Sequence, residues 1–411
     1  MSAEPDRRLN WLLGSNAFAN LGDGIAKTAF PLLAATVTRD PLLIAGLSAA
    51  QFLPWLLFGL LAGAMLDRVD RRKAVVLANT ARAVAVGVTG VLVYFDAANI
   101  WLVYATALAV GIAEVVADSA ANVLIPSVVE RSGLSSANSK LQATEIVGQT
   151  FLGGPVGSLT FALFAAFPFL LDSVAFALGA ALLAAMSGNY RPRRKEAPGD
   201  TASVAATVRT DIAEGLRWLR HNPLLLRLVV IAGLVSLVSE LAQAQLVLYA
   251  LQDLDLSNAA YGAFAFAGGI GGLVGAAVAA RLIDRFGGRL TLVSGAVGCG
   301  VTFLAMGLVS QPVVSGVLFG LFAAAIVVVN VILATARHTL VPEELLGRVL
   351  GVWRTVVWGA LPVGALLGGV TTRLLGTPSA TFALSGVLLL GVAGVAWFAV
   401  RHHEVTPAHR S

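Results

Sequence analysis

Apolar residues fall in long unbroken runs along the chain, and the short breaks between them carry most of the charge. A helix needs roughly 20 apolar residues to cross the hydrocarbon layer of a membrane. Read against turn and charge signals, the runs predict helices over 10–37, 42–66, 74–95, 99–128, 140–165 and 168–188. Six more follow over 224–251, 258–283, 290–310, 312–338, 348–375 and 378–400. Between the two sets, Arg191 to Ala206 is basic and then rich in small residues, the composition of a flexible linker. From Thr207 to Arg220, Val208, Ile212, Leu216 and Leu219 recur at helical spacing, with Arg209, Glu214, Arg217 and Arg220 at other positions. This predicts a short amphipathic helix on the inner membrane surface, or alternatively a docking point for a soluble regulator.

The expected architecture is an all-α integral membrane protein with twelve transmembrane helices in two six-helix bundles. Its parts are an N-terminal bundle (1–188), a cytoplasmic linker with the amphipathic helix (189–223), a C-terminal bundle (224–400) and a tail (401–411). Composition agrees: 57% of residues are hydrophobic and only 12% charged, against roughly 25% charged in a soluble domain. Such a chain cannot cover a water-exposed surface. The first run, from Trp11, is long enough to span and lacks a cleavage site, so it is expected to be retained.

The net charge of +5 reflects orientation rather than a nucleic-acid partner. One set of loops receives Arg68, Arg71, Arg72 and Lys73, then Arg131 and Lys140, then Arg191, Arg193, Arg194 and Lys195, then Arg281, Arg285 and Arg289. The opposite set has little beyond Arg39 and Arg373, with Asp96, Asp253 and Asp255. Positive loops stay inside, so both termini and the 189–223 loop are expected in the cytoplasm, with the chain in the plasma (inner) membrane. The single cysteine, Cys299, sits in an apolar run as a packing residue, and neither a metal site nor a cofactor is expected.

The halves repeat their signals in order. Gly63-Ala-Met-Leu-Asp67-Arg68-Val-Asp-Arg71-Arg72-Lys73 follows the second span, and Ala280-Arg281-Leu-Ile-Asp284-Arg285-Phe-Gly287-Gly288-Arg289 follows the eighth. Six helices per half make this a parallel repeat, which suits alternating access. At these residues the chain resembles the major facilitator superfamily: Gly63 to Arg72 matches its signature G-x-x-x-D-R-x-G-R-R, except that Asp70 replaces the second glycine. Leu21-Gly22-Asp23-Gly24, Val341-Pro342-Glu343-Glu344, Gly347-Arg348-Val349 and Glu214-Gly215-Leu216-Arg217 resemble the branch holding enterobactin exporters and macrolide-efflux proteins. The resemblance implies a conformational latch at Gly63, Asp67, Arg68, Arg71 and Arg72, with a weaker partner at Asp284 and Arg285. It also implies an antiporter signature in the fifth span, of which Gly148, Gly153, Gly154, Pro155 and Gly157 remain, with Ser158 and Leu159 in place of paired glycines; close helix packing accounts for the glycines without any role in coupling. The fourth-span arginine common in proton antiporters of the superfamily is missing.

Ionisable side chains inside spans usually face a cavity or one another. Asn16, Asn20, Asp23 and Lys27 share one face of the first span, Glu114, Asp118 and Asn122 one face of the fourth, and Gln142, Glu145 and Gln149 lie in the fifth. Ser236, Glu240 and Gln243 fall in the seventh. The expected coupling and substrate residues are therefore Asp23, Lys27, Glu114, Asp118, Asn122, Glu145, Glu240 and Gln243. Glu114 and Asp118, one turn apart in a low dielectric, cannot both ionise cheaply, as a proton carrier requires. Asp23 and Lys27 are spaced to neutralise each other, and Lys27 reads as the one deeply placed base. Asp172, near the outer end of the sixth span, reads as a water-accessible acid.

No phosphate-binding G-x-x-x-x-G-K-[ST] loop and no H-E-x-x-H pair occurs, so neither ATP-driven transport nor hydrolysis is expected and the chain is not read as an enzyme. The function expected is a secondary active transporter, exporting a small amphipathic molecule against protons by alternating access. Drugs, macrolides and siderophores are the classes the resemblance implies. Proton-coupled uptake, or a membrane sensor or scaffold on a transporter fold, are the alternatives. Expected partners are the substrate, protons and membrane lipids, with the protein a monomer.

Overall fold

The computed structural model describes residues 3–66, 69–129, 133–186, 190 and 204–401, with side chains for all of these except 3–7, 60–66, 122–123, 126–127, 135 and 204–211. Asp67 and Arg68, the basic run at 191–195 and the tail histidines His402 and His403 lie outside the described residues, as do the surroundings of Gly63 and the side chain of Asn122.

All regular structure among the described residues is helical. The order is α1 (Ala3–Val37), α2 (Pro41–Leu66), α3 (Arg71–Tyr94), α4 (Ile100–Val128), α5 (134–163), α6 (Phe167–Ala185), α7 (Val204–Arg220), α8 (Pro223–Asp253), α9 (Asn258–Leu308), α10 (Pro312–Leu340), α11 (Glu343–Leu375) and α12 (Pro378–Val400). Ten of the described helices are long and apolar enough to cross a membrane. The 51-residue α9 counts once among them, yet its backbone breaks at Gly287 (φ 76°), leaving two limbs where two spans are expected. The 35 residues of α1 also suffice in length, and Asn16, Asn20, Asp23 and Lys27 lower its hydropathy. Counting both limbs of α9 and adding α1 gives twelve crossings.

Helix starts follow local chemistry. Proline opens α2, α8, α10 and α12, where its missing N–H leaves no bond unmade. Side-chain caps hold α4, where Asn99 accepts from the Leu102 N–H at 3.0 Å, and α10, where Gln311 accepts from the Val314 N–H at 2.6 Å.

The chain forms two compact units. Unit one comprises 1–38, 50–206 and 258–263, and unit two comprises 39–49, 207–257 and 264–411. In unit one, α1 and α5 cross at glycines. A Cβ on Gly157 would stand 2.8 Å from the Ile25 carbonyl oxygen, and one on Gly24 2.7 Å from the Gln149 backbone. The α5 backbone widens into π-type turns over Ile146–Gly153, next to this crossing. Unit two is centred on aromatic rings: Phe303 stacks on Phe322 at 3.9 Å, and buried Tyr249 donates its hydroxyl to the Met306 carbonyl at 2.7 Å. The amphipathic α7 belongs to this core. Leu219 is fully buried, Ile212, Leu216 and Trp218 pack against the same cluster, and Glu214 pairs with Arg348 of α11 at 2.8 Å. From Ile212 to Leu219 its apolar face therefore covers protein, a correction to the expectation that it lies on lipid. Gly215 is small enough to let it seat, since a Cβ there would come 2.7 Å from the Arg348 carbonyl oxygen.

The repeated loop motif performs the same task in each unit. Arg72 donates to the Leu183 and Ala184 carbonyls at 3.0 and 2.5 Å, closing the C-terminal end of α6. Its repeat counterpart Arg289 donates to the Arg401 carbonyl at 2.6 Å, just beyond α12, and lies over the Trp397 ring. Helix ends expose carbonyls with no intrahelical partner, and a guanidinium satisfies them. The substituted glycine of the motif also finds its reason here. Its counterpart Gly287 takes a left-handed φ, whereas Asp70 stays at φ −67° and caps α3 through the Lys73 N–H at 3.2 Å.

In unit two, Arg373 of α11 grips the Asp40 carboxylate with two nitrogens, Nε standing 2.8 Å from Oδ1. The guanidinium holds the Asp40 carboxyl below its ordinary value of 3.8. A depressed folded-state value makes the pair's contribution complete above the ordinary value and lost as pH falls through the depressed one. Arg373→Gln should therefore lower the Tm slightly at neutral pH, and a pH series should show its gap to wild type closing below about pH 4. At the α1–α5 crossing, Gly157→Val should destabilise by about 1–3 kcal/mol, read as a fall in Tm with reduced yield of monodisperse protein.

Candidate functional site

Unit one contains a buried ionic cluster around Arg82. The residue stands midway along α3 with 1% of its surface exposed, and its guanidinium ion-pairs with Asp23 of α1. Asn79, one turn earlier on α3, lies 3.4 Å from Nη1, and the ring of Phe176 on α6 lies under the guanidinium at 4.1 Å. Aromatic faces attract cations, so Phe176 supports the buried charge from the α6 side. A small cavity of about 30 Å³, the space of one water, adjoins the pair. Its walls include Asn16, Asn20 and Asp23 of α1, Asn79 and Arg82 of α3, and Asp118 of α4.

A hydrogen-bonded chain extends from this cluster to α5. Asn20 donates to Asn16, Gln149 donates to Asn20 at 2.7 Å, and Lys27 donates to Gln149 at 2.5 Å. Thr144 donates to Asn16 at 3.0 Å. The close crossing at Gly24 and Gly157 brings α5 near enough for these bonds. Asp118 has Glu114, Arg82, Glu145 and Lys27 as its charged neighbours. Gln142 donates to Glu145 at 3.3 Å, which ties that acid to its own helix.

Six of the expected residues therefore belong to unit one. Asp23, Lys27, Asp118 and Glu145 lie in one charged neighbourhood with Glu114, while the side chain of Asn122 is outside the described residues. Glu240 and Gln243 belong to unit two, where Glu240 is buried and accepts from the Ser48 hydroxyl at 2.5 Å. Two expectations change. Asp23 is paired with Arg82 and Lys27 is bonded to Gln149, because the guanidinium of α3 reaches the carboxylate first. Asp172 is 1% exposed, so it is no water-accessible acid. Arg82 is the residue the sequence reading passed over. An arginine in the middle of the apolar run 74–95 was the signal, since a lone charge at that depth requires a buried partner.

Two bodies packed from membrane-length helices have the architecture of the major facilitator fold. The solved nucleoside transporter NupG superposes with a TM-score of 0.74 over 96% of this chain and 98% of its own, at 10% identity, a likeness of fold alone. The family described as transmembrane secretion effector matches residues 6–410, and the chain belongs to it. It is similar to the multidrug efflux pump Tap of Mycolicibacterium fortuitum, 26% identical over 388 residues that cover 92% of each chain. The enterobactin exporter EntS of Escherichia coli is 29% identical over 181 residues, 43% of this chain and 42% of its own. This is a multi-pass membrane transporter of small molecules, in a family that is not an enzyme class.

Removing one partner of a buried ion pair leaves the other charge stranded, at a cost of about 3–5 kcal/mol. Arg82→Gln should therefore lower the Tm markedly in detergent, and adding Asp23→Asn should restore part of the loss. A double variant no more stable than Arg82→Gln would show that the pair is not the source of the effect.

Proposed function

We propose that the protein is a proton-driven exporter of cationic or neutral amphipathic molecules, working by alternating access in the plasma (inner) membrane with both termini cytoplasmic and no catalytic chemistry of its own. The observation that carries this reading is the Asp23–Arg82 pair beside a one-water cavity walled by Asp118. A proton entering that cavity meets a carboxylate whose neutralisation releases a guanidinium. The ion pair is then broken, and the contacts holding α1 to α3 change with it. Arg82 on the third helix supplies the base that the fourth span lacks.

Relatives named as a multidrug efflux pump and an enterobactin exporter support export. Acids outnumber bases around the cluster, with Asp23, Glu114, Asp118 and Glu145 against Lys27 and Arg82. That balance favours a cationic or neutral cargo over an anionic siderophore.

Everted membrane vesicles carrying a preformed proton gradient test the reading with ethidium as a cationic probe and a macrolide as a neutral one. Probe addition should dissipate the gradient in wild type, and Asp118→Asn should weaken the response by about tenfold or more, equivalent to 1.4 kcal/mol. Undiminished responses in both Asp118→Asn and Glu114→Gln would remove these acids from the coupling path.

A further inference from the structure

A second carboxylate lies within the electrostatic reach of the same guanidinium. Asp172 of α6 is 1% exposed, and among the described residues neither of its carboxyl oxygens has a hydrogen-bond partner. Arg82 is its electrostatic neighbour, and the Arg82 Nε–H is likewise buried without a partner. Buried polar atoms are rarely left without a partner, because the desolvation they suffer is then uncompensated. Here an orphaned donor and an orphaned acceptor belong to electrostatic neighbours. Asp172 also touches the backbone at Gly22, where any Cβ would collide with its carboxyl group, so the glycine beside Asp23 makes room for it. Phe176, one turn further along α6, lies against the guanidinium.

One guanidinium neutralises one carboxylate. With Asp23 in the ion pair, the trio of Arg82, Asp23 and Asp172 avoids a buried net charge by holding a proton on Asp172. The charged groups on the helices packed against Asp172 are Arg82 from α3 and, beside Gly22, Asp23 from α1 with Lys27 one turn beyond. The part of α5 packed on α6, Gly154–Leu163, has no charged residue.

We propose that Asp172 is the alternative seat of the Arg82 guanidinium, which passes from Asp23 to Asp172 during the transport cycle. In one state Arg82 pairs with ionised Asp23 and Asp172 is protonated. In the other, the O–H bond on Asp172 has broken, one on Asp23 has formed, and Arg82 pairs with ionised Asp172. The handover itself moves one proton between the two acids and consumes no other group. Of these two acids Asp23 lines the cavity and Asp172 does not, so the proton is traded with water at Asp23, and Asp172 acts as the positioning residue that stores it. This inference rests on the proton-driven reading.

The full-length protein in proteoliposomes, with ethidium as probe and a pH-sensitive dye inside, separates the two. Asp172→Asn should retain ethidium exchange at equilibrium while losing about tenfold or more of the ethidium-driven proton movement. Its ethidium affinity should also lose the pH dependence that wild type shows. A wild-type protein that moves ethidium without protons would overturn the proton-driven reading, and this inference with it. Coupled wild type alongside an Asp172→Asn variant with unchanged coupling and pH profile would overturn the role of Asp172 alone. Infrared difference spectra of wild type at two pH values provide the measurement that does not depend on the variant folding. They should contain the carbonyl stretch of a protonated carboxylic acid at the pH where Asp23 is ionised, and its absence there would equally overturn the proposal.

Discussion

A charge placed in the hydrocarbon layer must find its counter-charge within the protein, and in unit one that requirement falls on Arg82. The guanidinium is too deep for its side chain to reach an interface, so three helices supply its surroundings: a carboxylate from α1, an amide from α3 itself and an aromatic face from α6. The packing of α1 and α3 on α6 is thereby constrained electrostatically as well as by shape. Helices in lipid lack the hydrophobic drive that assembles soluble cores, which makes such polar contacts and close small-residue crossings the means of choosing a neighbour.

The same constraint explains why α5 approaches α1 so closely. Its glycines bring Gln149 within reach of Asn20 and Lys27, and the widened turns over Ile146–Gly153 lie along that approach. A helix that leaves the regular ladder has backbone groups held less tightly. Placing such turns next to a polar chain gives α5 a local means of adjusting when the charges beside it change. Unit two is built differently, with Tyr249, Phe303, Phe322 and Phe382 forming a mostly apolar centre in which the Tyr249 hydroxyl is satisfied by backbone and by Ser315.

The spans were legible from the length and spacing of apolar runs, because the membrane imposes one physical rule on all of them. The break at Gly287 and the cap at Asp70 were visible as residues but not as roles, since a turn's backbone conformation is set jointly with the helix it leads into. Polar stripes on α1, α4 and α5 were readable from helical spacing, yet the pairings among them were not. Spacing along one helix suggested Asp23 with Lys27, whereas the partner comes from a helix some sixty residues away in sequence, information that one helix cannot contain. Asp172 shows the same limit from the other side. Its nearness to the end of a predicted span suggested water, and only the packing of α1 and α3 over it makes the residue fully enclosed.

Arg72 and Arg289 each fasten the loop between the second and third helices of a repeat to the far end of its sixth. Six helices in a row are joined along the chain by five turns, and these arginines add a cross-tie between elements about a hundred residues apart. Each repeat is thus closed into a ring at one rim. For a carrier that works by tilting whole bundles, such a tie lets a push on one helix move its five companions rather than bend it away from them.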